Sequence, residues 1–388
     1  MNYLKLISRR TLQVLFDIIF LNFMKKGEHK TGSKKKVCLL RLDGLGDVVM
    51  FIDAIRAYRE IFRVEDHETI LITEAWIAPL FEECPYLDKV IGCDTLRFKK
   101  EISYRWQFLR EIRKAGNHIF INSCINRELL YGDIMAHASG ARHRYGYNAP
   151  SYKACEKIIG DLFYTSLALR PEDVHEVDKN AELVRLAGRK AYRPARPFMD
   201  WFGSPGKQKF FVIAPGAKDP ARKWPQDRFA SLSKALHEEF GLTPVIIGGK
   251  EDIITAKAII KAAPKIPFQN ETGRLDLPSV AKLVSGASFF IGNDSGPAHL
   301  SAATGTKTFV VATGGNFNSC VSYPEYLGLD HTPVYQEDTS CFNCHGKCKY
   351  KYNEILPCVE NITVEQARGV IIRKLNEKKG AYQERAAF

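Results

Sequence analysis

The sequence predicts an α/β protein of two doubly wound domains, each a parallel sheet with helices on both faces, the two facing each other across a cleft. Two successive series of short apolar strands alternating with amphipathic helices predict the sheets. A stretch rich in Pro and Gly, residues 189–209, separates the series and reads as a linker. Glycine-bearing turns close several strands, the places where doubly wound sheets bind ligands. A length of 388 residues accommodates two or three domains. With 45% hydrophobic and 26% charged residues, the chain is neither disordered nor collagen-like.

Residues 1–35 form a basic amphipathic N-terminal segment. Within it, residues 11–24 are mostly apolar, carry Asp17 and are flanked by basic side chains. The run is shorter than the roughly 20 residues that cross a bilayer, and Lys25 and Lys26 follow where a signal peptide would end in small residues. It reads as an interfacial helix, apolar side in the acyl boundary and lysines on anionic headgroups; packing on the protein's own surface is compatible with that. The first domain, residues 36–188, opens with a strand at 37–42 and a helix at 48–62. A strand at 69–73, helices at 75–82 and 102–115, a strand at 118–122 and a helix after Asn126 follow. The second domain, residues 210–335, runs strand 210–214, helix 227–240, strand 244–247, helices 252–262 and 277–285, strand 288–291, helix 298–304 and strand 308–311. A Cys-rich segment at 336–362 and a C-terminal helix with a basic tail at 363–388 complete the chain. No internal sequence repeat relates the two series.

The net charge of +12 points to an acidic partner, but its position matters more than its size. Residues 1–36 carry a net +7 and residues 373–388 a net +3, leaving +2 for everything between. A body that gripped duplex nucleic acid would itself be basic, so no nucleic-acid partner is expected and an anionic membrane surface is. A basic, aromatic-rich run at 97–114 and the triplet Arg142-His143-Arg144 suit either an acidic acceptor or a solvated face. Ten cysteines divide into six scattered ones, read as reduced thiols, and the cluster Cys341, Cys344, Cys348 and Cys358 with His345 inside it. Four thiolates at this spacing suit a tetrahedral structural Zn or Fe; reduced thiols or disulfides are the other readings.

Four further motifs carry chemistry. In Arg41-Leu42-Asp43-Gly44-Leu45-Gly46-Asp47, a strand ends in a turn where Gly44 and Gly46 let the backbone approach a ligand. Asp47 stands at the following helix start, as an N-cap or as a catalytic acid–base group. The third glycine of a dinucleotide fingerprint is absent, Val49 standing in its place. In the second motif, Gly216, Lys218, Arg222 and Lys223 form a basic loop suited to a diphosphate, with Trp224 arguing against mere solvation. The third, Gly248-Gly249-Lys250-Glu251-Asp252, offers an acidic pair for ribose hydroxyls or for a helix dipole. The fourth, Asn293-Asp294-Ser295-Gly296-Pro297-Ala298-His299, is a polar turn opening a helix, an anion cradle flanked by Asp294 and His299.

In this order and spacing the four motifs resemble those of the glycosyltransferase family 9 heptosyltransferases, over roughly residues 36–315. The resemblance implies a GT-B fold of two Rossmann-like domains, acceptor on the first and nucleotide-sugar donor on the second. It matches Asp47 to the family's proposed general base and Lys223 to the lysine that meets the donor phosphates. Glu251 matches the acid at the ribose, and Asp294, Ser295, Gly296 and His299 match the donor turn, with Gly216, Lys218 and Arg222 beside it. Asp43, Gly44 and Gly46 fall on the acceptor side. The implied activity is inverting transfer of a sugar, heptose from ADP-heptose, to a hydroxyl of a lipopolysaccharide-core or related surface-glycan acceptor. Its place is the cytoplasmic face of a bacterial inner membrane, with no cofactor for catalysis and the cysteines holding only a structural metal. Two alternatives stand beside it: a nucleotide-sugar epimerase of the same fold, and a non-catalytic metal-bearing glycan-binding module. The second would have lost Asp47 or Lys223, and both are present.

Overall fold

A computed structural model describes residues 9–27, 34–149, 154–203, 208–315, 317–338, 340–344, 348–350 and 355–385. Much of the basic N-terminal segment's flanks (residues 1–8 and 28–33), His345 and the last three residues lie outside them. The chain divides into two compact units, residues 1–197 and 198–388.

The first unit runs α1 (Arg9–Asn22), β1 (Lys35–Arg41), α2 (Leu45–Met50), α3 (Ile52–Ile61), β2 (His67–Glu74), β3 (Lys89–Cys93), α4 (Thr95–Lys100), α5 (Ile102–Lys114), β4 (Asn117–Asn122), α6 (Ile134–Ser139), β5 (His143–Tyr147), α7 (Ala154–Asp161), β6 (Ser166–Ala168) and α8 (Glu176–Leu186). Its six strands pair in parallel in the order β3-β2-β1-β4-β5-β6. The central strand reads as a continuous apolar run, Val37 to Leu40, because both faces are covered and every residue is buried. The helix expected at 48–62 is two short helices meeting at Phe51, whose buried ring lies 5.5 Å from the Arg41 guanidinium. The helix expected at 75–82 shortens to a single turn of 3-10 helix, Ala78–Phe81.

The N-terminal helix packs on this unit. Val14 and Leu21 enter a core with Leu109, Ile112 and Ile134, and Phe20 stacks on Trp106 at 4.4 Å between ring centroids. Asp17 is fully buried, accepting from Arg105 Nε at 2.8 Å and from Trp106 Nε1 at 3.1 Å. The reading of the basic run at 97–114 as a solvated face therefore fails at two of its residues. Arg105 and Arg113 are buried, the latter donating to Met24 O at 3.2 Å, while Lys99, Lys100, Arg110 and Lys114 stay at the surface. The opposite side of α1 exposes Leu12, Leu15, Phe16 and Ile19, with Phe23 just beyond.

The second unit runs β7 (Phe210–Ala214), α9 (Gln226–Phe240), β8 (Thr243–Ile246), α10 (Ile253–Ala262), β9 (Gln269–Asn270), α11 (Leu277–Gly286), β10 (Phe290–Asn293), α12 (Gly296–Ala303), β11 (Thr308–Val311), β12 (His331–Val334), α13 (Pro357–Glu360) and α14 (Val364–Arg385). The parallel order is β12-β11-β10-β7-β8-β9. Counted from its own first strand, this sheet has the same order as the first, although the sequence shows no repeat. In each sheet the order reverses beside the first strand, so crevices open at the carboxyl ends of β1 and β4 and of β7 and β10. Among the described residues no helix is long and apolar enough to cross a membrane.

Candidate active site

In the first unit, the turn after β1 stands at the switch point. Gly44 is the N-cap of α2 and Asp47 the third residue of the helix, so Asp47 is not the N-cap that the sequence allowed. Its Oδ2 accepts the Gly44 amide at 3.1 Å, closing the turn on itself. Behind the turn lies Arg41, fully buried, a residue that the motif pattern does not mark as functional. Its guanidinium donates to Asn180 Oδ1 at 2.9 Å, to Glu176 Oε1 at 2.8 Å and to the carbonyl of Ser123, and its Nε lies 2.9 Å from Asp43 Oδ2. Arg41 thereby ties the ends of β1 and β4 to the start of α8. Burial works against its charge, but Asp43, Glu176 and Asp47 outweigh that and raise its pKa. The Asp43 carboxyl is pushed up to about 7, by burial first and by Asp47 and Glu176 next, with Arg41 opposing. Glu176 is raised by burial as well, and the buried Cys124 thiol, which accepts the Leu42 amide at 3.2 Å, is raised with it.

In the second unit, the second, third and fourth sequence motifs converge on the ends of β7, β8 and β10. Asn293, the last residue of β10, donates from Nδ2 to Pro215 O at 2.7 Å and accepts the Trp224 amide at 3.1 Å, locking the basic loop to the sheet. Asp219 caps a short 3-10 turn, Pro220–Arg222, through the Ala221 amide. Trp224 is buried and donates from its indole to Ile362 O at 2.9 Å, which explains its place in a basic loop. Lys218 is exposed. Lys223 reaches Asp252 Oδ1 at 3.3 Å, and Arg222 lies 3.8 Å from Asp294 Oδ2, which also accepts from Thr313 at 3.2 Å.

Of the acidic pair, Glu251 is exposed, and Asp252 is the buried carboxylate set against Lys223. Glycines at 216 and 248 make room for it: a Cβ at either would stand 2.3 or 2.8 Å from Asp252 Oδ2. Ser295 precedes α12 in extended conformation with no side-chain cap, and Gly296 and Pro297 open the helix. His299 is buried there, its Nδ1 2.8 Å from the Tyr323 hydroxyl. The sequence motifs contain Arg41, Asp252 and Asn293 without showing their partners, and they do not mark Glu176 or Asn180 at all, because these contacts join residues far apart along the chain.

The four clustered cysteines line one cavity of about 70 Å³, together with Asp219, Arg222, Gly314 and Gly315. Two backbone bonds hold this segment in place, from Leu356 N to Ala221 O at 3.0 Å and from Asn343 N to Gly314 O at 2.6 Å. Burial pushes the Cys358 thiol up, and Cys341 and Cys348 add to it. A shared cavity of four sulfurs is a donor set that suits zinc or iron. Among the described residues, no three His, Cys, Asp or Glu side chains are drawn to metal-holding distances.

The model for glycosyltransferase family 9 (heptosyltransferase) matches residues 140–311. Lipooligosaccharide heptosyltransferase 2 of Campylobacter jejuni is 22% identical over 338 residues, 84% of this chain and 95% of that protein. Lipooligosaccharide heptosyltransferase 2 of Haemophilus ducreyi is 31% identical over 297 residues, 72% of this chain and 83% of that one. Among solved structures, a family 9 glycosyl transferase from Veillonella parvula superposes with a TM-score of 0.71 at 18% identity, covering 90% of this chain and 100% of the other. The dodecameric iron-containing heptosyltransferase TibC of enterotoxigenic E. coli, solved with ADP-D-β-D-heptose, gives a TM-score of 0.51 at 15% identity, covering 91% and 78%. The two structures speak for the fold, and the Haemophilus relative, similar over most of both chains, speaks for the family. The chain belongs to glycosyltransferase family 9, the heptosyltransferases.

Proposed function

We propose that this glycosyltransferase moves a heptose from ADP-heptose to a hydroxyl of a lipopolysaccharide-core or related surface-glycan acceptor, inverting the anomeric centre. The observation that carries the reading is the gathering of Arg222, Lys223 and the open start of α12 at the switch point of the second sheet. Such a basic, amide-lined ledge suits a diphosphate. The relatives' names supply the sugar: two are heptosyltransferases of lipooligosaccharide, and TibC was solved with ADP-heptose.

In this reading Asp47 takes the proton of the acceptor hydroxyl as its oxygen bonds to the anomeric carbon. The bond from that carbon to the diphosphate oxygen breaks on the opposite face, which inverts the centre. Lys223, Arg222 and the first amides of α12 take up the charge that develops on the leaving ADP. The four thiols would hold a structural zinc or iron that braces the Cys-rich segment against the donor loop, a reading supported by the iron-containing neighbour. The exposed apolar side of α1, with Arg10, Lys25 and Lys26 exposed beside it, supports a peripheral position on the anionic cytoplasmic face of a membrane.

The test is Asp47→Ala. It is expected to lower transfer by at least about a thousandfold, within the range of a lost general base, with ADP binding nearly intact. Substantial residual turnover would remove Asp47 from the role of base.

A further inference from the structure

We propose that Lys26, Arg113, His137 and Arg144 form a binding site for a phosphate group at the amino edge of the first sheet, opposite the carboxyl edge that carries Asp47. None of the four enters the transfer reaction. Only the source favoured for the phosphate, the headgroup of an anionic lipid, rests on the reading of α1 as a membrane-facing helix.

The four side chains come from different parts of the unit and meet around one turn. Helix α6 ends at Gly140, in left-handed conformation, whose amide donates to His137 O at 3.2 Å. Lys26, in the segment after α1, lies along that turn: a Cβ on Gly140 would stand 3.1 Å from its Cδ. Arg113, in the last turn of α5, donates from Nε to Met24 O at 3.2 Å, and its own carbonyl accepts the Gly27 amide at 2.9 Å. Residues 24–27 are thus strapped across the end of α5. Arg144, near the start of β5, donates to the carbonyls of Ala141 and of Phe163, the latter at 2.6 Å. The Phe163 ring lies 4.7 Å from the imidazole of His137, which closes the circle.

What the circle lacks is an anion. Arg113 is buried and Arg144 half-buried, yet among the described residues both hydrogen-bond only to backbone carbonyls. Buried charges are ordinarily paired. The ends of α5 and α6 each contribute roughly half a negative charge, which leaves Lys26, Arg113 and Arg144 well in excess. The charged groups facing His137 are Arg113 from α5, Arg144 from β5 and Lys26 from the segment after α1, with no carboxylate among them. Burial first, and then these three cations, push its imidazole down to about 4, and burial lowers both guanidiniums as well. The neutral imidazole has a buried Nε2 with no hydrogen-bond partner. A phosphate beside it supplies the missing acceptor, and its charge favours the imidazolium, in which both ring nitrogens donate.

The chemistry selects a phosphate. Two guanidiniums, an ammonium and an imidazole suit an oxyanion with several acceptor oxygens and up to two charges. Lys26 is exposed on the solvent side of the circle, and the exposed Phe23 immediately precedes Met24. Apolar surface adjoining a cationic pocket is the combination that takes an anionic lipid headgroup. The triplet Arg142-His143-Arg144 is thereby divided, Arg144 turned to the site and Arg142 left exposed.

The experiment titrates inorganic phosphate into the full chain by calorimetry, with ADP saturating so that the basic loop of the second unit is already occupied. One saturable phosphate per chain is expected. Its affinity falls at least about tenfold, the scale of one charge-assisted hydrogen bond, in Lys26→Glu, which sets a carboxylate among the cations. The same loss is expected in His137→Leu, which removes the imidazole and leaves the net charge unchanged, whereas Lys26→Arg retains binding. Should His137→Leu not fold, Lys26→Glu, at an exposed position, decides. Absence of a saturable site, or an unchanged affinity in folded Lys26→Glu, overturns the proposal. Cosedimentation with phosphatidylcholine vesicles, with and without phosphatidylglycerol, separates the sources. Weaker binding of His137→Leu to the phosphatidylglycerol vesicles alone assigns the site to a lipid headgroup; lost phosphate binding with unchanged cosedimentation assigns it to free phosphate. Neither measurement involves sugar transfer, so a failure here leaves the role of Asp47 untouched. A wild type that binds phosphate but no vesicle sinks the membrane reading of α1 and keeps the site.

Discussion

At position 216 a Cβ would stand 2.3 Å from the Asp252 carboxylate, and the backbone there has no room to retreat because Asn293 holds the neighbouring Pro215 carbonyl at 2.7 Å. Gly216→Ala therefore has to push Asp252 away from Lys223. The expected result is ADP binding weaker by about tenfold, the scale of one charge-assisted hydrogen bond, measured by calorimetry. Gly369→Ala, where a Cβ meets nothing within 4 Å, serves as the control. Tighter binding in Gly216→Ala would mean that Asp252 competes with phosphate for Lys223 and does not orient it. Residue identity in this region is legible in the sequence as an acidic pair after a glycine turn. Which acid turns inward is not, because that choice is made by Asp252 accepting the Gly249 amide at 3.2 Å and by the space two glycines leave. Arg41 is hidden for a similar reason. A charged residue ending an apolar strand looks like a strand terminus until Ser123, Glu176 and Asn180, more than 80 positions away, are seen around it.

At the scale of elements, the central strands announce themselves and the edges do not. The strands at 210–214 and 308–311 are legible to the residue, since buried parallel strands are unbroken apolar runs. The edge strand β9 is Gln269–Asn270, with no apolar signal at all. Strand β5 includes Gly146, which leaves space for the ring of Tyr164, 2.6 Å from where its Cβ would stand. Helix α1 is legible as amphipathic, but the partner that allows Asp17 to be buried lies 88 residues on, in Arg105. The Cys-rich segment is tied to the basic loop at Ala221, so a metal held by its thiols would act on the loop's order. The expected outcome is about one zinc or iron per chain in protein purified without chelator, lost in a Cys341→Ser/Cys344→Ser variant that also melts lower. Metal analysis and thermal melts measure both, and a metal-free wild type of unchanged stability after chelation would contradict the assignment.

For the whole molecule, the same strand order appears twice, and the two switch points carry different chemistry, a carboxylate turn in the first sheet and a basic loop with a helix start in the second. The charge of +12 resolves in the same way. Its excess sits at the termini, and the first of these leads into a helix with two apolar sides, one filling the unit's core and one exposing Phe16 at 63% and Phe23, beyond its end, at 86%. Phe16→Glu/Phe23→Glu is expected to lower cosedimentation with vesicles containing anionic phosphatidylglycerol by at least about tenfold, since each buried Phe contributes about 1.5–3 kcal/mol. Unchanged binding contradicts a lipid-facing role, and a change of oligomeric state alone would assign the stripe to a second copy of the chain. The most direct test of the account as a whole is ADP release from ADP-heptose, with and without a truncated lipopolysaccharide core as acceptor. The account predicts ADP only when the acceptor is present, matched by a mass gain of one heptose on that acceptor. Donor consumed or its sugar reconfigured at the same rate without acceptor would contradict it.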